Sequence, residues 1–249
     1  MAENGRDQAP AQQAGCRDCP HREDRLKKGR CQPGDTCVRS LNGRQIARFF
    51  TVNPDLAELY AGDDFWERRA IAARYLSQKM LLDMLNDPDE VVRRVLAFRL
   101  PVDQLDALID DPDREVRVTV ADRLPAEQLE RLATDEDYLV RKCVARRLRP
   151  GRLFRMINDP DREVRKAVAM RLPCESLQLM MNDPAAEIRI IVAERIDLES
   201  IRPMMLDSDW RVRLSVCQRL PFERLVDMAD DDDEDVRELV ARRLHGEST

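Results

Sequence analysis

Cys16, Cys19, Cys31 and Cys37 stand in the spacing Cys-x2-Cys-x11-Cys-x5-Cys. Four thiolates complete either a tetrahedral zinc site or a [4Fe–4S] cube. The tight pair Cys16-Arg17-Asp18-Cys19 lets two sulfurs face one centre, and Pro20, Pro33 and Gly34 supply turns around it. Zinc ribbons and fingers often use two close pairs, whereas five residues separate the second pair here. Both centres are net anions with four thiolates, so the surrounding Arg and Lys residues suit either. Spacing alone leaves zinc and iron–sulfur open. His21 could replace a sulfur, but it directly follows Cys19-Pro20 and reads as a bystander.

The cysteines sit in a basic head on an acidic body. Residues 16–48 hold nine Lys/Arg and four Asp/Glu, a charge of +5 in a chain whose net charge is −6. The acidic remainder disfavours nonspecific nucleic-acid binding along the body. No run approaches the ~18 apolar residues needed to span a bilayer, and MAENGRDQAPAQQAG has no apolar stretch of a secretory signal. A soluble cytoplasmic protein is the expectation. Seven unevenly placed cysteines then argue for metal binding rather than a secreted disulfide framework.

The elements that must carry this head repeat every 24 residues. Arg69, Arg93, Arg117, Arg141, Arg165, Arg189, Arg213 and Arg237 keep that period without an insertion. A Val/Ile column (Val92 to Val236), an Ala column (Ala73 to Ala241) and a Leu column (Leu76 to Leu244) hold the same frame. This predicts a solenoid, because one unit could not bury its apolar face alone. In one unit, Asp111 reads as an N-cap and Pro112 as the first helical residue. Val116, Val120 and Leu124 stripe one face, Ala121 admits a close neighbour, and Pro125 ends the helix. Leu129 and Leu132, three apart, suit a short 3₁₀ helix or one α turn. No strand pattern is present, and the fold class is all-α.

The organisation expected is a flexible tail over 1–15, a cysteine-rich module over 16–48, a repeat solenoid over 49–244 and a tail over 245–249. Residues 46–62 look like a partial repeat that begins the stack. Phe49, Phe50, Phe65 and Trp66 read as the apolar joint between the cysteine head and the first repeat.

On the four-cysteine head and on units such as Val116-Arg117 through Arg123-Leu124-Pro125, the chain resembles the leucine-rich repeat variant proteins that carry an N-terminal iron–sulfur cluster. The resemblance covers nearly the whole chain. It implies alternating α and 3₁₀ helices in a right-handed superhelix, with a [4Fe–4S] cluster held by Cys16, Cys19, Cys31 and Cys37. It hints at a link to nitrogen fixation and brings no established family activity with it; with no catalytic motif found, no enzyme is expected.

Other features read as structural. A second Arg column (Arg99 to Arg243) and an Asp column (Asp87 to Asp231) could form a charged groove for an acidic partner. Capping and pairing with neighbouring acids or C-terminal carbonyls is preferred, because every repeat has both columns. The acid run Asp230–Asp235 falls in the same loop-to-helix frame. Met156, Met180, Met181, Met204, Met205 and Met228 fall in core columns, Cys217 in the small Ala column, and Cys143 and Cys174 have no partner at ligand spacing. There is no phosphate-binding glycine motif, no His-Glu-x-x-His and no catalytic triad. The function expected is a redox-linked module that holds an unknown protein partner on the solenoid surface, without a membrane, nucleic acid or small-molecule substrate. The alternatives are a scaffold whose iron–sulfur or zinc centre only stabilises the cap, and a DNA-lesion enzyme on a helical-repeat scaffold. Few aromatics and an acidic body argue against the last.

Overall fold

Most of the long repeat helices start at an aspartate cap; Ala185 holds that place without a side-chain cap before Ala186–Arg195. Asp89, Asp137, Asp161, Asp209 and Asp233 have extended backbone and accept the amide two residues on, as N-caps do. The helices that follow, such as Glu90–Arg99 and Tyr138–Arg147, bury one apolar stripe. Val92, Leu96 and Leu100 are fully buried in one; Val140, Val144 and Leu148 match them in another. Each such side chain contributes about 1.5–3 kcal/mol of burial. Leu100 and Leu220 end their helices extended, ahead of Pro101 and Pro221.

The computed structural model describes residues 16–246. The tail expected at 1–15 lies outside the described residues, as do 247–249. The chain divides into two compact units, Met1–Arg123 and Leu124–Thr249. In the first, a single π turn (Arg22–Leu26) precedes the helix Gly43–Val52 and the 3₁₀ helix Pro54–Tyr60. Helices Trp66–Ala72, Gln78–Asp83 and Glu90–Arg99, the 3₁₀ helix Val102–Leu108 and the helix Arg114–Arg123 follow. In the second unit α and 3₁₀ helices alternate from Leu129–Leu132 to Trp210–Arg219; a short α-helix Phe222–Leu225, a 3₁₀ turn Val226–Met228 and the helix Glu234–Leu244 follow. The described residues contain no strand, only an isolated antiparallel bridge between Gln32 and Thr36. The paired leucines sit in the 3₁₀ pieces: Leu105 with Leu108, and Leu177 with Met180, are all buried.

The two charge columns have distinct partners. Arg93 Nε and Nη2 donate to the Asp111 carboxylate at 2.8 and 3.0 Å, while Nη1 donates to the Asp87 carbonyl at 2.7 Å. Arg141 with Asp159, Arg165 with Asp183, Arg189 with Asp207 and Arg213 with Asp231 repeat the fork. The second column caps helix ends instead. Arg171 Nη1 donates to the carbonyls of Ala145 and Leu148, both at 2.8 Å, and Arg123 does the same at Ala97 and Leu100.

Four expectations are corrected. Asp111 is not the N-cap: Asp113 accepts the Glu115 and Val116 amides and the helix starts at Arg114. The Asp111 carboxylate is taken by Arg93 and by the Asp113 amide. The boundary at 48/49 falls inside the helix Gly43–Val52, so the cysteine head and the first repeat share that helix. Phe65 and Trp66 pair with each other, 6.0 Å between rings, and leave the joint to other aromatics. Met181 is only half-buried, unlike Met156, Met180, Met204 and Met228.

Candidate metal centre

Turn chemistry shapes the head. The π turn closes through the amides of Leu26 and Lys27 to the carbonyls of His21 and Arg22; such turns recur at functional sites. Gly29 and Gly34 take φ of 68° and 81°, a region open to glycine. Gly34 sits in the turn closed by the Gln32–Thr36 bridge, whose amides are 2.8 Å from the opposing carbonyls.

All four expected ligands come together. Cys16, Cys19, Cys31 and Cys37 line one cavity of about 220 Å³, beside Arg22, Val38, Arg39 and Gln45. None is in a disulfide. Cys31 is buried and hydrogen-bonded to Cys37, which raises the Cys31 thiol and lowers that of Cys37. Backbone amides of Arg39 and Ser40 also donate toward Cys37 and favour its thiolate. Burial pushes the Cys16 thiol up, with Cys37 and Cys19 adding to it, while Arg22 and Arg39 oppose.

The donor set fits an iron–sulfur cube. It supplies four thiols, cations to offset an anionic cluster, and amide donors to a ligand sulfur, all of which tune such centres. Among the described residues, no three His, Cys, Asp or Glu side chains converge as a single-ion site. The same four thiols would also complete a tetrahedral zinc site.

Sequence reasoning missed what holds the head in place. His21 is buried, and its Nε2 lies 2.7 Å from the Tyr60 hydroxyl. Its ring packs 5.6 Å from Phe49, and Phe50 meets both Phe49 and Tyr60 edge-on. Burial lowers the His21 pKa and raises that of Tyr60 to about 12. The joint is thus His21, Phe49, Phe50 and Tyr60. Buried Asn53 donates to the Arg30 carbonyl, and Gln45 reaches the Gly34 carbonyl at 2.8 Å. The sequence signalled this contact surface only through Phe49 and Phe50 in the partial repeat 46–62.

A solved structure described as a leucine-rich repeat variant with a novel repetitive protein structural motif is 54% identical to this chain. The match covers 92% of this chain and 98% of the other, with a TM-score of 0.87.

The chain belongs to the leucine-rich repeat variant family.

Within this leucine-rich repeat variant protein, residues 114–137 match the family model described as leucine rich repeat variant. Residues 11–59 match the one described as LRV protein FeS4 cluster. That span holds all four cysteines and runs on through most of Pro54–Tyr60, so the iron–sulfur module includes the first helix pair, as the joint requires. An uncharacterized 27.7 kDa protein in the nifB 3′ region of Rhodobacter capsulatus is 38% identical over 79 residues. The match spans 32% of this chain and 32% of that relative. No helix among the described residues is long and apolar enough to cross a membrane.

Proposed function

We propose that Cys16, Cys19, Cys31 and Cys37 hold a [4Fe–4S] cluster, and that the protein is a redox-linked interaction module whose repeats hold a protein partner. The observation that carries this reading is the convergence of the four thiols on one cavity, with amides aimed at Cys37 and Arg22 and Arg39 in its wall. Such a cluster supplies one-electron transfer. The chain's own residues tune it: the guanidiniums offset negative charge, the Arg39 and Ser40 amides stabilise sulfur as thiolate, and Val38 and Leu26 line the cavity with apolar surface. Catalysis is no part of this reading. The cytoplasm suits it, because a reducing compartment keeps ligand thiolates available. The description of the Rhodobacter capsulatus relative supports a link to nitrogen fixation.

A second reading, in which the metal only staples the cap, is favoured by the ties of His21 and Arg30 in the head to Tyr60 and Asn53. Single Cys16→Ser and Cys37→Ser variants separate the two. The redox reading expects the visible cluster absorbance to be lost or altered while most helical circular dichroism remains. Wholesale loss of helicity supports the staple, and an unchanged spectrum removes that cysteine from the ligand set.

A further inference from the structure

A second concavity lies beside the cysteine head, and its sequence departs from the repeat pattern. It is a groove of about 710 Å³ whose lining includes Leu41, Trp66, Val91 and Val95, together with Arg44 and Arg74. Leu41 is 76% exposed and Trp66 38%. Water-facing positions in repeats are normally polar, and an exposed apolar patch marks a binding surface. In the register of Val91, 24, 72 and 96 residues on, the same position holds Glu115, Glu163 and Glu187, and 48 residues on it holds Leu139, so the apolar residue is the minority choice at this place.

The groove is built on the chain that shapes the cluster cavity. Residues Arg39 and Ser40 line that cavity and donate amides toward Cys37; Leu41, the next residue, lines the groove. Gln45 faces the cavity and its neighbour Arg44 the groove. A body seated against Leu41 therefore lies a few residues of chain from a ligand sulfur.

Charge identifies the occupant. The exposed side chains of Arg44 and Arg74 point to an anionic partner, as does the +5 of residues 16–48. The acid in the groove, Glu67, packs its carboxylate where a Cβ on Gly43 would sit, at the start of the helix Gly43–Val52. There the helix dipole offsets its charge.

The geometry points to this groove as the docking site for an acidic one-electron carrier protein, which passes its electron to the cluster across the Arg39–Leu41 segment. The inference rests on the redox reading above. In the step, the reduced carrier loses one electron and the oxidised cluster gains it; no bond forms or breaks. Leu41 and Trp66 supply apolar anchors, Arg44 and Arg74 steer the approach, and the steering weakens with salt.

The test uses the anaerobically purified, cluster-loaded full chain, with a reduced acidic flavodoxin as protein donor and dithionite as small donor. Stopped-flow absorbance gives the bimolecular reduction rate by each. Leu41→Asp and Arg44→Glu are expected to slow the flavodoxin reaction about tenfold or more, and to leave the dithionite rate and the cluster spectrum unchanged. The wild-type flavodoxin rate should fall steeply between low and high salt. In a Trp210→Phe background, the fluorescence of Trp66 should respond to oxidised flavodoxin, which reports binding without electron transfer. A reducible cluster whose flavodoxin rate ignores both variants and salt overturns the docking groove alone. A cluster that dithionite cannot reduce overturns the redox reading, and the groove proposal with it.

Discussion

The side-chain amide of Asn53 donates to the backbone carbonyl of Arg30 at 2.9 Å, and so fixes the residue before Cys31 to the end of the helix Gly43–Val52. Asn53 is fully buried, and the same nitrogen reaches the Phe49 carbonyl at 3.0 Å. Asn53→Ala takes this donor from the Arg30 carbonyl, while the Phe49 carbonyl keeps the backbone amide of residue 53, a cost of about 1–3 kcal/mol. The expected outcome is a lower Tm and faster bleaching of the cluster absorbance under an iron chelator. Bleaching at the wild-type rate would contradict a positioning role.

Tyr60→Phe removes only the hydroxyl beside His21 Nε2. A loss of about 1 kcal/mol is expected in urea unfolding. His21→Ala also empties the space against Phe49 and Tyr60, so it should cost more. Equal losses for the two variants would show that the ring packing contributes nothing.

Arg141 and Asp159 form a buried fork, with Nε and Nη2 at 2.7 and 3.0 Å from the carboxylate. Arg141→Ala strands a buried carboxylate and should cost about 3 kcal/mol, the low end for breaking such a pair. The double change Arg141→Met with Asp159→Asn should recover part of that loss. Chemical denaturation of the single and double variants measures both.

The carboxylates of these forks set an acid limit. The Arg213 hydrogen bond holds Asp231 below its ordinary value. Burial alone would raise Asp207, but Arg189 and the Asp209 amide outweigh it and carry its pKa down. Arg211 holds Asp209 down to about 2. A depressed carboxylate binds fewer protons folded than unfolded, so stability rises with pH through this window. The contribution is complete above the unfolded value of about 4 and disappears as pH falls through the folded values. Urea midpoints should therefore hold from pH 7 to 5 and fall between about pH 4 and 2. Arg213→Gln, which unpairs Asp231, should show a smaller fall; an equal fall would place the acid sensitivity elsewhere.

The 24-residue period and the Cys-x2-Cys-x11-Cys-x5-Cys spacing made the repeat and the ligand candidates legible in the sequence. That the charges pair with acids and helix-end carbonyls was legible too; which partner each arginine takes was not. Arg93 lies six residues after Asp87 and eighteen before Asp111, and the period offers both equally. It uses both, with the carbonyl of the first and the carboxylate of the second. Asp111 read as a cap because it precedes Pro112, whereas the competing claim of Arg93 on its carboxylate comes from a neighbouring repeat. The joint was misjudged for a similar reason. Phe65 and Trp66 are near Phe49 and Phe50 in sequence, but Trp66 opens a new helix and stays exposed. His21 meets Tyr60 across 39 residues that carry no period, and a single histidine beside a cysteine signals nothing about that contact.

A [4Fe–4S] cluster held by the four cysteines accepts one electron, and a zinc ion in its place does not. Anaerobic purification with iron, sulfide and zinc assays, followed by EPR after dithionite reduction, tests it most directly. The expected result is roughly four iron and four sulfide per chain, with a paramagnetic signal that appears on reduction and is absent from Cys16→Ser protein. One zinc per chain, no sulfide and no signal would contradict it, and would make the cysteine head a structural cap on the repeats.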